Sequence, residues 1–150
     1  ARGEPPEQLA WAESWMEAST RDGGFKGENL ETLMAVMFGE TSRNSASKRA
    51  VLDHWRARME AGTLSLWPAI RGVLYRKSAV NLLPQIQAPT LVFSGTEDMP
   101  RPPEWADEVV AGLPNARLVR LEKIGHSPML EAPDQVVPRI LDFLASRQAA

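Results

Sequence analysis

The 150-residue sequence contains no cysteine, and this absence excludes several kinds of site. A chain without thiols forms no disulfide bond, no thiolate metal site and no cysteine nucleophile. Histidine is also scarce, because only His54 and His126 are present. His54 has no second histidine at helical spacing, so we interpret it as a surface or packing residue and expect no metal site.

Long apolar runs and an excess of one charge are missing as well. No apolar stretch approaches the roughly 18 residues of a membrane-spanning helix, and no segment resembles a signal peptide. The 17 lysines and arginines nearly balance 19 acidic residues, and they are scattered along the chain. Because scattered basic residues do not follow a phosphate backbone, we expect no nucleic-acid partner. We likewise expect no membrane partner and a cytoplasmic location.

The composition that is present, 43% apolar and 24% charged, is typical of one globular domain. The pattern changes near Pro84, which divides a helical region, residues 1–85, from a mixed region, residues 86–150. In the helical region, apolar residues at helical spacing predict four short amphipathic helices. Their predicted starts are Pro5 or Pro6, Asn29 as an N-cap, about Ser47 and about Leu64.

The mixed region predicts a strand, a helix, a second strand and a final helix, an order typical of an α/β fold. The first strand, 90–93, is apolar on both faces, as in parallel strands that helices cover on both sides. The second strand, 117–121, alternates apolar and polar residues, which indicates a position nearer a sheet edge.

In the final helix, about 134–146, Pro138 is expected in or just beyond the first turn, because proline inside a helix costs about 3 kcal/mol. The apolar residues expected to face mostly inward there are Val136, Val137, Ile140, Leu141, Phe143 and Leu144.

Two strands make only a pair, so the sequence predicts an incomplete sheet. A strand that is apolar on both faces needs further strands and helices beside it. The chain also begins with Ala1 rather than with methionine. We therefore expect the remaining strands to come from another polypeptide, or from a longer chain of which these residues are the tail.

Two short motifs follow the predicted strands. Gly95-Thr96-Glu97-Asp98 comes directly after the first strand, and Gly125-His126-Ser127-Pro128 follows the second. Because the carboxyl ends of neighbouring parallel strands meet at one edge of a sheet, we expect Asp98 and His126 to lie together. In such a pair the carboxylate orients one ring nitrogen, and the other nitrogen moves protons as a general base and acid. The alternative is that Asp98 only caps its own turn.

The two motifs resemble the C-terminal part of the α/β-hydrolase fold. Residues 86–98 resemble its penultimate core strand and acid turn, and residues 125–133, Gly-His-Ser-Pro-Met-Leu-Glu-Ala-Pro, resemble its histidine loop. The resemblance implies that Asp98 and His126 are the acid and histidine of a catalytic triad, and that residues 1–85 form a lid. It also implies cofactor-independent hydrolysis of a small ester or lactone, since the lid and the short loops most resemble those of small bacterial esterases, lactonases and C–C hydrolases, including enol-lactone hydrolases.

The sequence departs from this family in having no nucleophile motif. The family order is serine, acid, histidine, with the serine on an upstream G-x-S-x-G elbow, and neither the elbow nor a glycine-rich oxyanion turn is present. Ser127 adjoins His126 in sequence and Ser94 lies at the end of a strand, so neither is expected to reach the imidazole in line. We therefore expect the serine on the N-terminal half of the same fold, in cis or as a separate chain, and no activity from these 150 residues alone.

Several residues near the motifs have two interpretations. Met99 and Met129 flank the candidate pair, and Trp67 lies on a predicted helix. We assign these three as candidate substrate-binding residues, with core packing as the alternative. Glu97 and Arg101 are expected to be solvated.

Two other kinds of function stay open at this point. A chain without its nucleophile could be a non-catalytic binding module that uses an exposed strand edge and helices rich in methionine and tryptophan. A complete fold with the same acid and histidine could instead catalyse C–C hydrolysis, acyl transfer or haloperoxidase-like chemistry. The elbow and the oxyanion turn would distinguish these reactions, because they define the nucleophile and the charge that the site stabilises.

Overall fold

Residues 1–148, described by a computed structural model, comprise a helical first half and a mixed second half. The first half contains α1 (Pro6–Arg21), α2 (Gly27–Met37), α3 (Glu40–Arg43), α4 (Arg49–Glu60) and α5 (Trp67–Leu74). Short 3-10 helices lie at Ala46–Lys48, Leu64–Leu66 and Val80–Gln85. The second half contains β1 (Thr90–Gly95), α6 (Pro103–Gly112), β2 (Ala116–Leu121), α7 (Pro128–Glu131) and α8 (Pro133–Gln148). The predicted α/β fold class is confirmed.

The four predicted amphipathic helices are confirmed as α1, α2, α4 and α5, but the predicted start of α2 is wrong. The N-cap is Lys26, whose carbonyl accepts the backbone N–H groups of Asn29 at 3.0 Å and Leu30 at 3.4 Å. Gly27 then turns the chain into the helix with a φ of 51°, a value that suits glycine. Asn29 lies inside the helix, and its side-chain amide donates to the carboxylate of Asp22 at 2.8 Å instead of capping the helix.

The two strands pair in parallel, from Thr90 opposite Ala116 to Gly95 opposite Leu121. Helix α6 forms the crossover and packs against both strands. Because the last paired residues are Gly95 and Leu121, both strands end at the same edge. The loops that carry the two candidate motifs therefore leave the sheet side by side.

Buried apolar residues of the described chain form two clusters. In the helical half, Met34, Phe38 and Leu52 are buried together. Beside the sheet, the buried residues are Leu121, Ile124, Ala132 and Val136. Leu130 of α7 packs against the first cluster although α7 follows the sheet in sequence. Helix α7 thus joins the helical half to the strand–helix half.

The apolar residues of α8 differ from the prediction, because only Val136 of the expected inward set is buried. The side chains of Val137, Ile140, Leu141 and Leu144 are 39–60% exposed. The two described strands cover too little of this helix to bury them, and an exposed apolar face of this kind marks an interaction surface. Pro138 is the sixth residue of α8, just beyond the first turn as predicted. Among residues 1–148, no helix is both long and apolar enough to cross a bilayer.

The fold predicts that Gly95 tolerates no side chain. A Cβ atom built on Gly95 would lie 2.1 Å from the carbonyl oxygen of Ile124, which is backbone and cannot turn aside. We expect Gly95→Ala to lower the free energy of unfolding by about 1–3 kcal/mol, measured by urea denaturation.

The matched control is Gly72→Ala within α5, where a Cβ would meet nothing within 4 Å. This variant should be more stable than the wild type by about 0.5–1 kcal/mol, because alanine loses less backbone entropy than glycine in a helix. Equal stability of the Gly95→Ala variant and the wild type would contradict the close approach of the strand end to Ile124.

Candidate active site

Asp98 is held in a tight turn directly after β1. The backbone N–H of Thr96 donates to the carbonyl of Leu121 at 3.0 Å, and that of Glu97 donates to the carbonyl of Ile124 at 2.9 Å. The carboxylate of Asp98 also accepts the backbone N–H of Arg101 at 2.9 Å. The acid turn is therefore bonded to the strand end beside it and to its own following residues.

The imidazole of His126 is hydrogen-bonded to this carboxylate. Nδ1 of His126 lies 3.0 Å from Oδ2 and 3.1 Å from Oδ1 of Asp98. The Asp98 side chain is 11% exposed, whereas His126 is 35% exposed. Because Nδ1 is engaged by the carboxylate, Nε2 is the ring nitrogen left to exchange a proton. The arrangement can act as a carboxylate-oriented general base and acid.

His126 lines a cavity of about 490 Å³ between the helical half and the strand ends. The polar residues of its wall are Glu4, Gln8, Arg101 and His126. Its apolar residues come chiefly from α1, α2 and α5: Trp11, Ala12, Trp15, Leu33, Val36, Met37, Ile70, Val73 and Leu74. A cavity of this size, mostly apolar and with a few polar groups, is typical of a small-molecule site.

The three candidate substrate-binding residues lie in different places. Met99 is in the wall of this cavity together with His126. Met129 is 60% exposed and is not part of the wall. Trp67 lies in a separate groove along α1 and α5, where its indole N–H donates to the hydroxyl of Thr20 at 2.7 Å. Met99 therefore shares the cavity wall with His126, whereas Met129 and Trp67 do not.

The indoles that do line the cavity are those of Trp11 and Trp15. Their rings are stacked with centroids 5.8 Å apart, and Trp11 is 49% exposed. Both residues lie on α1, one turn apart, so they share one face of this helix. That spacing could not indicate which helix face meets the cavity.

Arg101 is ion-paired and only 25% exposed, whereas the sequence predicted a solvated side chain. Its guanidinium is paired with Glu4, at 2.6 Å from Nη2 to Oε1 and 3.1 Å from Nη1 to Oε2. Glu4 is only 4% exposed and also lies 3.0 Å from Nη2 of Arg76. Burial lowers the pKa of Arg101 from its ordinary value, although the charge of Glu4 opposes the shift. The partners are 97 residues apart, so no local pattern in the sequence could reveal them.

Glu97 also departs from the predicted solvated turn. Its carboxylate accepts the backbone N–H of Thr41 at 2.7 Å and the hydroxyl of the same residue at 2.5 Å. Thr41 belongs to α3, so this contact ties the acid turn to the helical half.

Sequence reasoning missed Glu131 altogether, although this carboxylate is buried and accepts backbone N–H groups on both sides of His126.

No serine is among the described residues that line the cavity. Ser94 is buried in β1, and its hydroxyl accepts a hydrogen bond from Nη1 of Arg120 at 2.7 Å. Ser127 is also buried.

Within residues 1–148 there is no group of three or more histidine, aspartate or glutamate side chains that could hold a metal ion. His54 is exposed, and its ring lies against that of Trp55.

The sequence matches the family model of the alpha/beta hydrolase family over residues 2–139. The match includes both strands, the acid turn and the histidine loop, together with the helical half. The chain belongs to the α/β hydrolase family.

Individual relatives are enzymes or carry enzyme names. BpoC of Mycobacterium tuberculosis, which carries the name of a non-heme bromoperoxidase, is 29% identical over 136 residues, 89% of this chain and 52% of BpoC. A solved esterase from Thermogutta terrifontis is 25% identical with a TM-score of 0.82, covering 97% of this chain and 53% of the esterase. The enol-lactonase of Burkholderia xenovorans LB400 is 22% identical with a TM-score of 0.78, covering 96% of this chain and 52% of the lactonase. The chain spans about half the length of each of these relatives.

The site predicts that Glu4 stabilises the cavity wall. In Glu4→Gln, Arg101 would keep its charge in a half-buried position but lose the carboxylate that is paired with it. We expect the free energy of unfolding to fall by roughly 1–3 kcal/mol, measured by chemical denaturation.

Glu108→Gln is the control, since Glu108 makes an ion pair with Arg2 on an exposed surface. Exposed pairs of this kind contribute little, so this variant should unfold close to the wild type. Equal losses in the two variants would show that the burial of the pair formed by Glu4 and Arg101 has no energetic consequence.

Proposed function

We propose that this chain supplies the acid and the histidine of a serine hydrolase that cleaves a small ester or lactone. In this proposal Asp98 orients His126, and His126 activates a serine that lies outside these 150 residues, in cis or on a separate chain. The observation that carries the proposal is the hydrogen bond of 3.0 Å between Nδ1 of His126 and Asp98, with His126 in the wall of an apolar cavity. Family membership and the likeness to an esterase and an enol-lactonase support the same class of substrate.

The geometry supports the following sequence of proton transfers. Nε2 of His126 takes the proton of the serine hydroxyl while the serine oxygen attacks the ester carbonyl carbon. The imidazolium, held by Asp98, then gives this proton to the leaving alkoxide as the carbon–oxygen bond breaks. In the second half, Nε2 takes a proton from water, the water oxygen attacks the acyl-serine, and the serine recovers its proton. No cofactor takes part in these steps.

The exposed surfaces support a partner half of the same fold. β1 pairs with β2 on one side, and within residues 1–148 no strand pairs with its other edge. The apolar face of α8 is exposed in the same half of the molecule. We propose that further strands of the sheet cover both surfaces and carry the serine and the oxyanion donors, and that residues 1–85 act as the lid of the cavity.

The walls of the cavity indicate the chemical character of the substrate. Most of the lining is apolar, and the positive charge of Arg101 is already paired with Glu4. An uncharged ester or lactone with an apolar body fits these walls, because its burial requires no unpaired charge. A substrate of about this cavity's volume would be a small molecule rather than a polymer.

A second candidate function comes from the match to BpoC, which extends over 89% of this chain. In that case the assembled protein would support bromide oxidation when hydrogen peroxide is supplied. Parallel assays with p-nitrophenyl esters and with peroxide and bromide would separate the two activities. Activity in neither assay, together with a stable isolated chain that melts cooperatively, would instead favour a non-catalytic binding module.

The proposal predicts large kinetic effects at the acid and the histidine. In the protein assembled with its nucleophile-bearing half, His126→Ala and Asp98→Asn should each lower kcat for an ester by orders of magnitude, about 10⁴-fold for the asparagine variant by analogy with other triads. The melting temperature should stay close to that of the wild type, because neither side chain belongs to an apolar cluster of the described residues.

The chain offers neighbouring controls on the exposed surface of α4. His54→Ala and Asp53→Asn make the same substitutions at exposed residues outside the cavity wall and should leave kcat unchanged. Near-normal turnover in the His126→Ala variant would refute the proposed function.

A further inference from the structure

Glu131 is a fully buried carboxylate that the proposed proton transfers do not use. Its side chain is 1% exposed, and its Oε1 accepts the backbone N–H groups of Gly125 and Ser127 at 3.1 Å each. The backbone nitrogen of Gly125 also lies 3.0 Å from Oε2 of Glu131. These two donors are the residues immediately before and after His126. The backbone on both sides of the imidazole is therefore bonded to one carboxylate.

The same carboxylate also reaches the helical half. Oε2 of Glu131 accepts the backbone N–H of Gly39 at 2.9 Å, in the turn between α2 and α3. Lys48, just before α4, donates its ammonium group to the backbone carbonyl of Glu131. The backbones themselves come very close, since a Cβ on Gly125 would lie 2.1 Å from the nitrogen of Gly39. The histidine loop and the helical half thus meet at Glu131.

The acid turn has a similar connection through Glu97. The carboxylate of Glu97 accepts both the backbone N–H and the hydroxyl of Thr41, two residues after Gly39. One short stretch of the helical half, residues 39–41, is therefore bonded to the loop of His126 and to the turn of Asp98. Fixing both loops to one stretch limits how far the imidazole can move relative to its carboxylate.

We infer that Glu131 is a positioning residue that aligns His126 with Asp98 and makes this alignment depend on the helical half. The inference rests on the proposed function where it predicts a change in kcat. Its prediction that the hydrogen bond between His126 and Asp98 is disturbed does not depend on that function. Three backbone donors converge on the carboxylate, and a buried donor that loses its acceptor is costly. Without the carboxylate, the histidine loop would relax, and a displacement of about 1 Å at a reacting group can lower the rate up to roughly a hundredfold.

Glu131→Gln tests this inference because it keeps the shape of the side chain but leaves one acceptor oxygen. Whichever way the amide turns, its NH2 group faces a backbone N–H of either Gly39 or Ser127. In the assembled protein we expect kcat to fall up to about a hundredfold with KM close to the wild-type value. We also expect the downfield proton resonance of the bond from His126 Nδ1 to Asp98 to broaden or disappear, while the ring signals of His54 stay unchanged.

Glu122→Gln is the matched control, because Glu122 is an exposed carboxylate on the same stretch between β2 and the histidine loop. It should leave kcat and the resonance unchanged. Glu131→Asp keeps the charge and both oxygens on a shorter side chain, and it should give intermediate values. If Glu131→Gln does not fold, kcat and the proton resonance of Glu131→Asp test the inference instead.

The two measurements distinguish the possible failures. A wild-type resonance and a wild-type kcat in Glu131→Gln would overturn the inference, as would a lower kcat with an unchanged resonance. Loss of the resonance with an unchanged kcat would support the positioning role and refute the proposed function. Loss of both, with the control unchanged, is the result that the inference predicts.

Discussion

The site depends on how closely three backbone segments approach one another at Gly39, Gly95 and Gly125. A Cβ on Gly95 would lie 2.1 Å from the carbonyl oxygen of Ile124, and one on Gly125 would lie 2.1 Å from the nitrogen of Gly39. The absence of side chains at these positions lets the acid turn, the histidine loop and the helical half share one small volume. The distance of 3.0 Å between His126 and Asp98 follows from this packing.

Four acidic side chains near the cavity have different partners, and their partners explain their different roles. Asp98 is bonded to an imidazole and to the backbone N–H of Arg101 in its own turn, whereas Glu97 and Glu131 accept backbone N–H groups of other segments and join loops. Glu4 neutralises Arg101 in the cavity wall. Each buried carboxylate therefore has a donor or a cation beside it, which offsets the cost of its desolvation.

The parts of the fold that were predictable from the sequence are those with local signals. The apolar spacing indicated the helices, and the order of strand, helix and strand indicated that Asp98 and His126 would meet at neighbouring strand ends. The contact of Glu131 with Gly39 joins residues 92 positions apart, and no periodic pattern reports such a pair. The exposed face of α8 was mispredicted for a related reason: an apolar stripe indicates that a surface needs a partner, but it does not say which chain segment provides it.

The central claim is that the pair formed by His126 and Asp98 activates a serine outside these residues. Covalent labelling of the assembled protein with a fluorophosphonate, followed by peptide mapping with mass spectrometry, tests this claim most directly, because the reagent reacts with serines that a histidine activates. We predict one adduct, on a serine outside residues 1–150. An adduct on Ser94 or Ser127, or no adduct in a protein that still hydrolyses esters, would contradict the account.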